Sequence, residues 1–485
     1  MGLSSKLPSE ELAINMAELA PAYTQQEATL EAARCLFCFD APCIMACPTG
    51  IDVPSFIRKI TTGNVTGAAR TILTANVLGA SCARVCPTEV LCEGACVVLD
   101  REGDPVKIGR LQRYATDYAA RQGIRVLKAP SQRTGKNIAI IGGGPAGLGC
   151  AAELAQLGHA VVVFEKKPNA GGLNTYGIAY YKMKPRVSLE EVKMIQQLGV
   201  EFRCQVEVGT DVSVSQIENE FDAIFIGIGL NGGQFLGIPG EDLPGVMDAL
   251  DFIEQIHVQP LHEIPVGNTV AVIGCGNTAI DAVTQAKRLG AKKAFIAYRR
   301  HELEMSAYDF EFELAKQDGA VFSFNCVPVE IVANEAGWVG AVKFAKTEIN
   351  AAGSLQILPG SEFTEPVDMV LKAVGQQKQS NWLQKHFPLL KFDQRGAVEH
   401  DPATGQTNIA HLFTGGDCAN GGREVVNAVG EGKKAARGIH SFLTQQMASG
   451  PIQPSRYGVD GIPVGAGLDR AIRVRELEAA YLREG

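Results

Sequence analysis

Basic charge is what this sequence is short of. Its 45 Lys and Arg stand against 53 Asp and Glu, leaving a formal net charge of −8. A protein that grips a phosphate backbone needs a basic surface, so the balance argues against a nucleic-acid partner. Long apolar runs are missing too: no stretch approaches the ~18–20 residues that span a bilayer. The first residues, Met1-Gly2-Leu3-Ser4-Ser5-Lys6, show no apolar signal region, and Lys6 breaks a myristoylation pattern. These absences lead to the expectation of a cytoplasmic protein with no membrane association. With 46% hydrophobic and 20% charged residues over 485 positions, the composition is that of a soluble globular chain. That length is too great for one core and suggests about three domains.

Cysteine, by contrast, is abundant. Of 13 cysteines, eight lie between residues 35 and 96. They form two runs, Cys35-x2-Cys38-x4-Cys43-x3-Cys47-Pro48 and Cys82-x3-Cys86-Pro87-x4-Cys92-x3-Cys96. In a reducing compartment, clustered cysteines more often bind metal than form disulfides. Tetrahedral zinc sites usually show two Cys-x2-Cys pairs, and only Cys35/Cys38 forms one. Eight thiolates match the requirement of two [4Fe–4S] cubanes, and a cysteine just before proline is typical of two-cluster ferredoxins. Spacing alone does not assign the eight, and zinc or purely structural cysteines remain alternatives. Cys150, Cys204, Cys275, Cys326 and Cys418 are scattered and read as core or loop residues.

Residues 1–130 read as helical and irregular, with segments such as Val53–Ile60 and Ala68–Leu78 and no strand pattern. After a polar linker the period changes. Asn137–Ile141 reads as a buried strand, Leu148–Leu157 as a helix and Ala160–Phe164 as a second strand, a βαβ unit. Its turn is Gly142-Gly143-Gly144-Pro145-Ala146-Gly147. Gly142 permits the tight turn, Gly144 lets the backbone approach a pyrophosphate, and Gly147 allows close helix–strand packing. The helix start that follows offers free N–H groups to phosphate. Glu165, 23 residues past Gly142, stands where a carboxylate would bind ribose hydroxyls. A second copy runs from strand Thr269–Ile273 through Gly274-Cys275-Gly276-Asn277-Thr278-Ala279 to helix Ile280–Leu289 and strand Lys293–Tyr298. This strand ends in Arg299 and Arg300 instead of an acid, and guanidinium groups suit a 2′-phosphate. Ala223–Gly229 and Met369–Gly375 read as strands ending in small-residue turns. Phe413-Thr414-Gly415-Gly416-Asp417, before a helix over Val425–Phe442, suits an Asp bound to the ribityl chain of FAD. No Cys-x2-Cys or Cys-x4-Cys dithiol lies beside either loop, which argues against a disulfide reductase.

From Cys35 to about residue 445 the chain resembles the electron-input half of dihydropyrimidine dehydrogenase, including its separate PreT-type bacterial subunit. It is similar, more distantly, to the small subunit of glutamate synthase. The motifs that carry the resemblance are Cys43-x3-Cys47-Pro48-Thr49, Gly79-x2-Cys82-x3-Cys86-Pro87-Thr88, Leu91-Cys92-Glu93-Gly94-x-Cys96 and Ile108-Gly109-x-Leu111-Gln112. The resemblance implies two [4Fe–4S] clusters, one held by Cys35, Cys38, Cys43 and Cys96. The other would take Cys47, Cys86, Cys92 and the unusual ligand Gln112, leaving Cys82 over. It places FAD against Val85, Gly144, Pro145, Ala146, Gly147, Leu148, Glu165, Lys166, Gly171, Gly172, Leu173, Lys182, Val208 and Asp417. The nicotinamide nucleotide falls against Cys275, Gly276, Asn277, Thr278, Arg299, Arg300, Ala373, Val374, Gly375 and Asp417. Mammalian relatives use a further arginine where Ser306 stands here, and the bacterial subunit is NADH-linked, so the nucleotide is written NAD(P)H.

The expected fold class is an α-helical iron–sulfur domain followed by two α/β Rossmann-like domains, the FAD domain split by the NAD(P) domain. In residue numbers this is 1–130 for the clusters, 136–265 and 376–448 for FAD, 266–375 for NAD(P)H, and 449–485 as a tail with a helix over Asp469–Arg483. Hydride transfer from nicotinamide to flavin needs stacking and orientation more than a protein acid or base, so no catalytic side chain is expected. The family's long enzyme continues past residue 445 into an FMN barrel. A chain ending at Gly485 is therefore expected to serve an FMN-containing partner in a hetero-oligomer. A glutamate synthase or another reductase is the alternative acceptor, and an iron–sulfur redox sensor is the alternative of another class.

Overall fold

A computed structural model describes residues 7–350 and 353–448; the expected helix over Asp469–Arg483 lies outside them. The described residues group into two compact units, one of 20–175, 186–230 and 378–448, the other of 7–19, 176–185 and 231–377. No helix among them is long and apolar enough to cross a membrane.

The first unit opens with short helices, among them Gln25–Ala33, Val53–Thr61, Val65–Ala75, Gly79–Val85 and Ile108–Arg121. Their starts are written locally. Thr24 and Glu27 form a reciprocal capping box, and Asp52 accepts the Ser55 N–H at 3.1 Å ahead of Pro54. Val53, Phe56, Ile57 and Ile60 recur at helical spacing and are all buried. Each such side chain contributes about 1.5–3 kcal/mol on burial. They pack with the cysteine-bearing loops: Cys35, Cys38, Cys43, Cys86, Cys92 and Cys96 all lie against this core.

A parallel sheet follows in the order Leu412–Thr414, Ala223–Ile226, Asn137–Ile141, Ala160–Glu165, Glu201–Cys204. Its inner strands are apolar at nearly every position because helices cover both faces. Asn137–Ile141 is the central strand, where connections leave in opposite directions, and ligands bind outside the carboxyl end of such a switch point. Helices Pro145–Gln156 and Val425–Thr444 cover one face.

The second unit repeats the plan: Val246–Asp248, Met369–Lys372, Thr269–Ile273, Lys293–Tyr298 and Val321–Phe324 form a parallel sheet in that order. The expected boundary at residue 266 falls inside this unit, since Val246–Asp248 pairs with Met369–Lys372. Helix Ser9–Asn15 belongs here too, with Leu12 and Met16 buried beside Phe252, Val272 and Ile280. Between Cys326 and Pro366 the chain also builds an antiparallel sheet around the long strand Val339–Ile349.

Candidate functional site

The first glycine loop is a cradle that side chains would fill. Gly142 has φ +102, and a Cβ there would lie 2.4 Å from the Gly227 carbonyl; one on Gly147 would lie 2.1 Å from the Gly142 carbonyl. At Gly144 the nearest atom a Cβ would meet is the Gly172 Cα at 3.9 Å, an ordinary contact with no clash. Pro145, Ala146, Gly147 and Leu148 form the first turn of the helix, with no described side chain capping it. Glu165 Oε2 accepts the Gly143 N–H at 2.9 Å and Oε1 the Lys167 N–H at 2.8 Å. This ties the end of the second strand to the loop and leaves the carboxylate lone pairs for ribose hydroxyls. Gly172 abuts Gly144, and Gly416 abuts Ala146, so the Gly171–Leu173 turn and Asp417 converge on the same helix start. Burial, helped by Glu431 and Glu424, raises the Asp417 carboxyl, while the Arg423 N–H works against it.

A pocket beside the loop is lined by Gly142, Lys166 and Val208, and also by Gln379 and Trp382. These last two were not legible beforehand: one of only two tryptophans, in a polar stretch, was the available signal. Val85 is half-buried on helix Gly79–Val85. Lys182 belongs to the other unit, where its Nζ lies 2.7 Å from Asp281 and 2.6 Å from Glu311. Burial pulls its pKa down, and the two carboxylates outweigh that and raise it.

In the second unit, Gly274 has φ +121 and a Cβ there would lie 2.2 Å from the Ala373 carbonyl. The loop Cys275–Thr278 and the Ala373–Gly375 turn are thereby brought together, with Val374 and Gly375 open to ligand. Gly276 caps helix Asn277–Arg288 without a capping side chain, as at the first loop. Cys275 is buried and its thiol is pushed up to about 11 by burial and then by Glu302. Ser306 Oγ stands beside Gly276. Arg299 and Arg300 are exposed.

The cysteines fall into two sets. Cys35, Cys38, Cys43 and Cys96 line one cavity with apolar neighbours such as Ile57 and Val98. Burial raises the Cys43 thiol well above its usual value, and Cys96, Cys35 and Cys38 add to the shift. In the other set, Cys86 is raised by its Cys82 neighbour first, then by burial, Cys92 and Cys47. Cys92 is raised by burial, then Glu93, Cys47 and Cys43. Buried thiols crowded this way favour the neutral form unless a cation draws off their protons, which is the chemistry an iron–sulfur cluster supplies. Among the described residues none converge as a group able to hold a single metal ion. Gln112 is buried, and its Nε2 donates to the Gly79 carbonyl at 2.7 Å, so the resemblance's ligand role falls to Oε1. Cys82, left over in the resemblance, is the side-chain neighbour of Cys86.

Comparison with known proteins assigns two stretches of the chain to two families. Residues 12–124 match the family described as dihydropyrimidine dehydrogenase domain II, 4Fe-4S cluster, which answers the zinc alternative. Residues 136–432 match the pyridine nucleotide-disulphide oxidoreductase family. The small chain of NADPH glutamate synthase from Escherichia coli is 35% identical over 457 residues, covering 90% of this chain and 96% of that one. The PreT subunit of NAD-dependent dihydropyrimidine dehydrogenase from the same organism is 34% identical over 426 residues, covering 88% and 97%. The two thus stand at nearly equal distance. In fold, the chain is similar to FprA of Mycobacterium tuberculosis in complex with NADPH, with TM-score 0.53 and 21% identity over 71% of this chain and 90% of that one. The protein is an FAD- and NAD(P)-dependent iron–sulfur oxidoreductase of the electron-transfer type. It belongs to the pyridine nucleotide-disulphide oxidoreductase family, in the group that joins this module to a 4Fe-4S domain and includes PreT and the glutamate synthase small chains.

Proposed function

We propose that this chain oxidises NAD(P)H and delivers the electrons to the FMN-containing subunit of a dihydropyrimidine dehydrogenase. The observation that carries this reading is the pairing of two nucleotide cradles with two clustered cysteine sets in one chain, alongside 34% identity to PreT over almost its whole length. Bound FAD supplies the conversion of a two-electron hydride into single electrons, and the clusters conduct those onward. The chain's own residues bind and orient. Gly144–Leu148, Glu165 and Asp417 hold the flavin nucleotide, and Cys275–Thr278 with Ala373–Gly375 hold the nicotinamide nucleotide. Cys35, Cys38, Cys43 and Cys96 hold the first cluster; Cys47, Cys86, Cys92 and Gln112 hold the second. The FAD domain is built on the first unit's parallel sheet, and the NAD(P)H domain that interrupts it is built on the second unit's sheet, which takes in 231–265 as well.

A second reading, an electron donor to a glutamate synthase large chain, has the 35% identity to the small chain in its favour. One experiment separates them. The protein purified anaerobically should reduce ferricyanide with NADH or NADPH and leave uracil untouched; with an FMN-containing pyrimidine-reducing subunit added, uracil should be consumed. Glutamate formation from glutamine and 2-oxoglutarate with a large chain, and no uracil turnover, overturns the first reading for the second. Failure to reduce ferricyanide at all overturns both and leaves the sensor.

A further inference from the structure

Glu191 has no part in the nucleotide loops or the cysteine sets, yet it is only 4% exposed. It sits on helix Pro185–Gln196, and its partners lie about 110 residues away along the chain. Its Oε1 accepts the N–H of Ala80 at 2.8 Å and of Ser81 at 3.1 Å, and its Oε2 accepts the Ser81 hydroxyl. These donors open helix Gly79–Val85, whose own N-cap position, Leu78, provides no side-chain acceptor. A helix start leaves N–H groups without intrahelical partners, so the missing acceptor is supplied here from a distant helix. The same turn holds Gln112, through the Gly79 carbonyl. Three consecutive residues therefore carry Glu191 on their N–H side and Gln112 on their carbonyl side, and the helix they open ends at Val85 and Cys86. One turn earlier on its own helix, Ser188 Oγ lies 2.9 Å from Thr175 Oγ1, which donates to the Ala170 carbonyl at 2.9 Å, beside Gly171.

We propose that Glu191 is a positioning residue for the second cluster. It fixes the turn Gly79–Ser81 so that Gln112 is held by its nitrogen with its oxygen left to the cluster, and its negative charge lowers that cluster's reduction potential. The inference rests on the assignment of Cys86 and Gln112 to that cluster. A charge close to a buried redox centre is weakly screened, and potentials follow net charge and hydrogen bonding. Burial raises the Glu191 carboxyl to about 7 against the pull of the Ser81 and Ala80 donors, so it is ionised in mild alkali. Arg84, on the next turn, also pulls the Glu191 carboxyl down, and its guanidinium is paired with Asp117 at 2.8 Å.

The test is an EPR-monitored redox titration of the full chain, purified anaerobically with clusters and FAD, at about pH 8.5, above the Glu191 pKa. E191Q keeps the shape and an acceptor for the two backbone N–H groups while removing the charge; the second cluster should shift upward and the first cluster and FAD should stay put. S81A removes one of the three donors that pull the carboxyl down, so the Glu191 pKa rises; at about pH 8.5 the same cluster should shift upward, by less than in E191Q, and the shift should shrink as the pH is raised toward ~9.5 while the E191Q shift does not. A helix cap with no electrostatic role would not give a pH-dependent shift confined to one cluster. Unshifted potentials, downward shifts, an S81A shift that ignores pH, or a common shift of all three centres overturn the proposal, and S81A decides alone should E191Q not fold. A wild-type protein with a single cubane signal sinks the two-cluster assignment itself, and this inference with it.

Discussion

Arg299 and Arg300 follow strand Lys293–Tyr298 with their side chains exposed and their backbones pinned. The Thr347 hydroxyl donates to the Arg299 carbonyl at 2.7 Å and the Asn325 N–H to the Arg300 carbonyl at 3.1 Å. Two guanidinium groups on an anchored turn suit a 2′-phosphate, and a charge-assisted hydrogen bond contributes about 1.5–3 kcal/mol. The double variant R299A/R300A should raise KM for NADPH on the order of 10–100-fold, with KM for NADH hardly altered; equal effects on both nucleotides would refute the assignment. A different kind of single-residue control lies at His159, whose Nε2 is 2.9 Å from His440 Nδ1 and whose Nδ1 is 2.7 Å from Thr134 Oγ1. Burial first, and then His440, lowers its pKa from 6.5 to about 4. Between those values the unfolded chain takes up a proton that the folded chain refuses. The associated stability is therefore present above pH 6.5 and is lost as pH falls toward 4. The loss should be about 2 kcal/mol between pH 7 and pH 5. Unfolding curves at the two pH values measure it, and H159Q should flatten the difference.

Helices Pro145–Gln156 and Val425–Thr444 approach each other through glycines. A Cβ on Gly432 would lie 2.0 Å from the Ala146 carbonyl, and one on Gly149 would lie 2.8 Å from the Val429 carbonyl. Alanine is the better helix former by about 1 kcal/mol, so propensity alone predicts that G432A stabilises. Backbone atoms cannot move aside, and overpacking of this kind costs about 1–3 kcal/mol. The clash should win: G432A should lower the unfolding midpoint and reduce FAD retained per chain, because Ala146 belongs to the phosphate cradle. Retained flavin with a raised midpoint would show the contact to be looser than drawn. Elements of this kind were largely legible in the sequence. Asn137–Ile141, Thr269–Ile273 and Lys293–Tyr298 stand where their apolar runs end in glycine or arginine, and helix Pro145–Gln156 begins three residues before the expected start because proline suits a first turn. The antiparallel sheet around Val339–Ile349 was not legible, since register shifts at Val339/Ala341 and Lys343/Phe344 break the alternation that marks a strand. Nor was the Lys433 contact, in which a buried ammonium donates to the Thr74 and Ala75 carbonyls at the end of helix Val65–Ala75, 359 and 358 residues away in sequence. Glu191 was missed for the same reason. Local pattern reports who is apolar and where turns fall; it does not report which distant backbone a buried charge will satisfy.

At the scale of the whole molecule, two tasks fall on different residues. In the proposed function, hydride exchange between the nucleotides is assigned to the glycine loops, Glu165, Asp417 and the Ala373–Gly375 turn, and to no cysteine between residues 35 and 96. The same proposal assigns electron export to those cysteines and to Gln112. The division makes a prediction that neither task makes alone. Cys92 lies in the second set, near Cys47 and Cys86, and its thiol is held far from ionisation by burial unless a cluster is bound. C92S should strip one cubane, removing about four of about eight irons per chain, and leave FAD content unchanged. Ferricyanide draws electrons from the flavin directly, so NAD(P)H-dependent ferricyanide reduction should stay within about twofold of wild type. Delivery to the partner subunit should fall by about tenfold or more, an added barrier of at least about 1.4 kcal/mol. Zinc or merely structural cysteines predict something else: no iron lost, or a general loss of fold that takes the flavin with it. A variant that keeps its FAD, loses half its iron and still reduces ferricyanide is consistent only with a chain in which nucleotide chemistry and cluster conduction are separable functions of separate residues.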